Sequence, residues 1–148
     1  MFQLHPQLRQ DCEYLGRFPL SHLLWMRDAN YPWAILVPER EDVQEIHQLS
    51  DDDQVQLIRE SSGLSRIMAR HFQAHKMNLG ALGNLVPQLH LHHVVRYRSD
   101  PAWPAPVWGR VSASPYDPQV LEQTLEGLLQ ALNGGLDFLP VRAGSQGD

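Results

Sequence analysis

Apolar residues recur along this chain in two rhythms. Short unbroken runs at 20–27 (LSHLLWMR) and 33–38 (WAILVP) have the length of buried strands. Between them Asn30-Tyr31-Pro32 supplies a turn, because Asn tolerates left-handed backbone and Pro fixes φ. The two runs therefore predict a hairpin. Gly16 and Pro19 punctuate a region of short strands just before it, and residues 5–12 predict a short helical turn with Leu4 and Leu8 on one side. After Ser50 the rhythm becomes helical. Leu57, Ser61, Leu64, Met68 and Phe72 recur at spacings of four and three, a stripe suited to packing on a sheet. Ser50 is a good N-cap, and Asp51, Asp52 and Asp53 place negative charge at the positive end of the helix dipole. Gly63 inside this helix costs about 1 kcal/mol relative to Ala, and close packing against a strand is the simplest reason for it.

Beyond Lys76 the texture changes. Residues 77–84 (MNLGALGN) are followed by 86–98 (VPQLHLHHVVRYR), which alternates over its first part and reads as a strand. Residues 99–109 (SDPAWPAPVWG) hold three prolines and two tryptophans, too many breakers for regular structure. A last helix is predicted over 117–133: Asp117 as N-cap, Pro118 at the first helical position, and Leu121, Leu125, Leu128 and Leu132 on one face. Asn133-Gly134-Gly135 ends it. Residues 134–148 are expected to form a flexible tail, with 143–148 disordered. No repeat interrupts this plan, so one domain over 1–133 is expected.

The chain has 148 residues, 43% of them apolar, enough to bury one core and too few residues for a second sizeable one. A net charge of −5 argues against a phosphate-neutralising grip on nucleic acid. One cysteine, Cys12, excludes an internal disulfide framework and a multi-cysteine zinc cage, and suits a reducing compartment. The first residues lack the basic stretch and apolar run of a secretory signal. No apolar run approaches the roughly 20 residues of a membrane span. The expectation is a soluble cytoplasmic protein with neither membrane nor nucleic-acid partner.

The sharpest chemical feature is Gln88-Leu89-His90-Leu91-His92-His93. On a strand, successive side chains alternate faces, so Gln88, His90 and His92 share one face while His93 faces the other. Three readings of this polar ridge stand. The residues can be hydrogen-bonded sheet positions without further role. An HxH pair can offer two nitrogens to a metal, though it needs further ligands that no spacing supplies. Lastly, a neutral imidazole can attack phosphorus and form a phosphoramidate that water cleaves.

The run NLGALGNLVPQLHLHHVVRYR resembles the signature of the histidine triad family, in which His alternates with apolar residues three times on a strand. It is similar to a bacterial subgroup with Gln at the first triad position and a following segment like DPAWPAPVWG, here 100–109. The likeness extends to YPWAILVPER at 31–40 and the helix after Ser50, so it covers most of residues 12–110 and implies a domain core there. The resemblance implies an α+β fold: an antiparallel sheet, one long helix after the first strands and a C-terminal helix.

Residue by residue, the resemblance makes His90 the nucleophile and His92 the neighbour of the bound phosphate. Gln88 takes the first triad position, where its amide can hydrogen-bond but cannot be protonated at neutral pH. Asn78 and Asn84 fall where the family places contacts to α-phosphate and ribose, and Gly83 lets backbone approach an anion closely. Asp28 falls near the family's ribose-binding position. Trp33 falls where several relatives carry an additional His; a Trp there suits stacking on a base or plain packing, and packing is the simpler role. Trp103 and Trp108 suit either a lid over the nucleotide or a plug on a dimer surface. Arg96, Arg98 and Arg110 are candidates to attract polyphosphate. His93 departs from the expected apolar residue and reads as structural. His5, His22, His47, His71 and His75 fall into no site.

The implied activity is hydrolysis or nucleotidyl transfer at the α-phosphorus of a dinucleoside polyphosphate or nucleoside phosphoramidate, by a homodimer without cofactor or metal. The alternative is a catalytically weak nucleotide-binding or interaction module.

Overall fold

Residues 1–141 are described in the computed structural model, and among them six strands pair antiparallel into one open sheet. In chain order these are β1 (Cys12–Arg17), β2 (Ser21–Met26), β3 (Trp33–Pro38), β4 (Lys76–Gly80), β5 (Leu91–Arg96) and β6 (Leu139–Pro140). Their spatial order is β4-β5-β3-β2-β1-β6. Three helices accompany them: α1 (Pro6–Asp11), α2 (Asp51–His71) and α3 (Pro118–Leu132). The architecture is the α+β arrangement that the resemblance implied.

The apolar run WAILVP becomes β3, buried along its whole length in the centre of the sheet. A strand covered on both faces needs no polar alternation, which is why its sequence is unbroken. On one face, α2 and α3 pack Leu57, Leu64, Met68, Leu128 and Leu132 against Leu23, Trp25, Leu36, Leu91 and Val95. On the other, α1 and the proline-rich segment cover a second core of Leu8, Leu24, Tyr31, Trp33, Ile35, Val94, Ala102 and Val107. The caps are where the sequence put them. Ser50 Oγ accepts from Asp53 N at 3.1 Å, and Asp117 accepts from Gln119 N at 2.9 Å and Val120 N at 3.3 Å.

Four expectations are corrected. Lys76–Gly80, given no structure from its texture, is the edge strand β4. The strand expected from Val86 starts only at Leu91, where its pairing with β3 ends opposite Leu36; its pairing with β4 ends at Gly80 opposite His92. Upstream of it, Leu89 N bonds Val43 O at 2.9 Å instead. Gly63 leaves room for the Leu136 side chain, not for a strand; any Cβ there would collide with that leucine. Finally, the expected tail does not begin at 134. Leu136 packs on α2 at Gly63, Phe138 packs against Phe18 with ring centroids 5.0 Å apart, and β6 adds to β1 at Gly16 and Arg17. The stretch expected to be disordered, 143–148, lies outside the described residues.

Among the described residues no helix is long and apolar enough to cross a membrane.

Candidate active site

β5 carries the histidines, and its pairing fixes where they point. His92 lies opposite Ile35 and so on the face of the second core, whereas His93 lies opposite Ala34 on the α2 face. His93 is fully buried there, its Nε2 2.8 Å from Ser61 Oγ of α2. Burial pushes its imidazole down to about 4, so it stays neutral. It faces away from His92, as the alternation indicated.

His90 precedes the strand yet turns to the same side as His92, the two rings 4.8 Å apart. Its Nδ1 lies 2.7 Å from the carbonyl oxygen of Gln88. A carbonyl only accepts, so Nδ1 carries the proton and Nε2 keeps its lone pair. His92 is held the opposite way. The indole Nε1–H of Trp33 donates to its Nδ1 at 2.9 Å, which places the proton of the neutral ring on Nε2. Burial first, then the positive charge His90 and His93 would carry, lowers His92 to about 3. His90 is lowered too, by burial and by His5, against the upward pull of the Gln88 carbonyl.

Both rings line a cavity of about 670 Å³, within the size range of small-molecule sites. Gly83 and Asn84 close one side of it, Trp108 and Gly109 another, and His5, Leu8 and Asp11 of the amino-terminal arm a third. Gly83 sits at φ +73°, a backbone conformation that favours glycine, where the loop turns at the cavity's edge. Trp108 packs 5.4 Å from His92 and 6.1 Å from Trp33, completing an aromatic surround of the second histidine.

The structure thus brings together His90, His92, Asn84 and Gly83, and sets the other expected residues apart. Gln88 points its side chain away from the cavity. Its Oε1 accepts from His5 N at 2.9 Å and its Nε2 donates to Gln3 O at 2.8 Å. The first triad position is therefore a clasp on the amino-terminal arm, and only its backbone carbonyl serves His90. Asp28 is buried in the β2–β3 connection, accepting from Asn30 N and Ser114 N at 3.0 and 3.2 Å. Asn78 Oδ1 accepts from Arg96 Nη1 at 2.7 Å. Arg96 is also no surface cation: its guanidinium is buried and bidentate with Asp100, Nε–Oδ2 2.7 Å and Nη2–Oδ1 3.0 Å.

Sequence reasoning missed two contributors. Trp33, read as packing, packs and also donates to His92. His5, placed in no site, lines the cavity because Gln88 holds its backbone 83 positions away in sequence. No local spacing signals such a contact. Among the described residues, no group of three His, Cys, Asp or Glu side chains converges in a metal-ligand arrangement.

A family model described as HIT domain matches residues 7–99. Among solved structures, the chain is similar to a histidine triad protein from Marinobacter aquaeolei VT8, at 47% identity and TM-score 0.86, covering 89% of this chain and 96% of that one. A histidine triad protein from Bradyrhizobium japonicum shares 42% identity at TM-score 0.86, covering 88% and 97%. One from Sinorhizobium meliloti 1021 shares 36% identity at TM-score 0.86, covering 89% and 98%. No curated protein matches the chain.

Proposed function

The chain belongs to the histidine triad family, whose members are usually nucleotide hydrolases or transferases, and from that premise we propose that it cleaves nucleotides at the α-phosphorus through a covalent nucleotidyl-histidine. The observation that carries the proposal is the His90 Nδ1 bond to the Gln88 carbonyl. It fixes the tautomer in which Nε2, on the wall of a nucleotide-sized cavity, has a free lone pair to give to phosphorus.

His92 presents a neutral N–H to the phosphoryl oxygens, where charge develops as the nucleophile bonds. Asn84 and the backbone around Gly83 complete the anion surround. Asp28 and Asn78 contribute by holding the connections that frame the cavity, and Gln88 by positioning His90 and the arm. Substrates are dinucleoside polyphosphates or other nucleotides substituted on the α-phosphorus. The working form is a homodimer. Exposed Leu79, Leu82 and Leu85, on and just beyond the edge strand β4, support that part of the proposal.

The test is intact-mass detection of a nucleotidyl adduct, with turnover of diadenosine tetraphosphate by the wild type and by His90→Ala. The variant should lose about three orders of magnitude or more in rate and form no adduct, with its melting temperature close to wild type. Binding without adduct or turnover in the wild type would select the interaction module instead.

A further inference from the structure

The side chains around the candidate nucleophile that could serve as acids are held in specific hydrogen bonds, and those bonds limit what can leave. His90 itself spends its only N–H on the Gln88 carbonyl. His92 has Nδ1 filled by the Trp33 indole, so a second proton there would set N–H against N–H. Gln88 has no proton to release and faces the arm. Asp11 offers carboxylate oxygens, held by the Gln7 amide at 3.0 Å. His5 takes the Gln7 backbone N–H on its Nδ1 at 3.1 Å, so that nitrogen acts as an acceptor. His93 lies behind the sheet, bonded to Ser61.

We propose that this cleft selects substrates whose leaving group departs as an anion, phosphoanhydrides rather than phosphoramidates, and that Trp33 is the positioning residue that enforces the choice by denying His92 a second proton. The inference rests on His90 acting as the nucleophile and narrows the substrate class of that same site. Cleavage of an anhydride balances without a donor. Nε2 bonds phosphorus, the bridging P–O bond breaks, and its electron pair leaves on a phosphate oxygen. Water then bonds phosphorus, the P–N pair returns to Nε2, and the water proton passes to solvent. An alkylamine cannot leave in this way, because its nitrogen must gain a proton as the bond breaks. A positioned acid typically contributes about 10²–10⁴-fold to such a step. Burial of His92 beside His90 and His93 works in the same direction as the indole bond.

Three measurements test this. First, kcat/KM of the wild type for diadenosine tetraphosphate should exceed that for an adenosine phosphoramidate of an alkylamine by about a hundredfold or more. Second, nitrogen-15 spectra of the wild type at pH 6 should show His92 neutral with its proton on Nε2. Third, Trp33→Phe should allow His92 to be protonated, visible in the same spectra. It should narrow the substrate ratio about tenfold or more at pH 6, and Trp33→His, which restores a ring N–H, should recover part of it. Equal wild-type efficiency on the two substrates, or an imidazolium at His92, overturns the inference. So does phosphoramidate cleavage that disappears selectively in His5→Ala, since His5 would then be the acid. A wild type that forms no nucleotidyl adduct and turns over neither substrate instead removes the nucleophile reading, and this inference with it. The spectra of the wild type remain decisive for the Trp33 bond even if Trp33→Phe folds poorly.

Discussion

A carbonyl oxygen two residues upstream decides what His90 can do. The Gln88 carbonyl holds the Nδ1–H, and burial with nearby His5 keeps the ring below its ordinary range, against the pull of that same carbonyl. The neutral, nucleophilic form therefore persists to lower pH than a free imidazole allows. Activity requires that form, so it should hold down to pH 6.5 and fall only as pH drops further through the lowered value. A pH profile of kcat/KM for diadenosine tetraphosphate checks this; an acid limb centred at or above 6.5 contradicts it. At this scale the sequence was legible in part. Alternation put His92 and His93 on opposite faces, and the structure has them so. It could not show that Gln88 turns outward, because Gln88 lies beyond the end of the strand, where alternation no longer governs direction.

Among the elements, the irregular segment 99–109 depends most on a single interaction. Asp100 follows β5 and accepts from Arg96, from Tyr97 N at 3.1 Å, from Ala102 N at 3.1 Å and from Trp103 N at 2.8 Å. The Arg96 and Asp100 side chains are 1% and 2% exposed. Burial alone would raise the Asp100 carboxyl, but Arg96 and the backbone N–H groups bring it below its ordinary range. Arg96 also lies over the rings of Tyr31 and Trp103, at 5.8 and 5.6 Å. The pair thus ties the segment that delivers Trp108 to the sheet. Asp100→Ala should destabilise the protein by roughly 3–5 kcal/mol, since it strands a buried cation. Thermal or denaturant unfolding measures this, and a change under about 1 kcal/mol would mean the pair is not closed in solution. Three prolines marked this stretch as irregular, yet nothing in its spelling revealed that an i,i+4 ion pair anchors it.

Across the whole molecule, segments near both limits of the described residues do structural work. The amino-terminal arm walls the cavity through His5 and Leu8, and β6 joins the far edge of the sheet at β1. The opposite edge, β4, has no strand beyond it among the described residues and carries Leu79 at 46% exposure, with Leu85 beyond it at 95%. An open strand edge beside exposed leucines calls for cover. Light scattering at micromolar concentration should give the mass of two chains, and Leu79→Lys should shift the population toward one. A monomeric wild type would refute the proposed assembly.

What the sequence determined by itself is what depends on near neighbours. The hairpin, both long helices with their Ser50 and Asp117 caps, and the His90/His92 pair are written in spacings of two to four residues. Tertiary structure decided what depends on distant partners. Gln88 meets His5 across 83 positions, Trp33 meets His92 across 59, and Asp28 meets Ser114 across 86. A hydrogen bond has direction but leaves no periodic trace in composition. Hence the imidazoles could be found along the chain, whereas which of their nitrogens carries the proton was settled only when the fold supplied a carbonyl to one and an indole to the other.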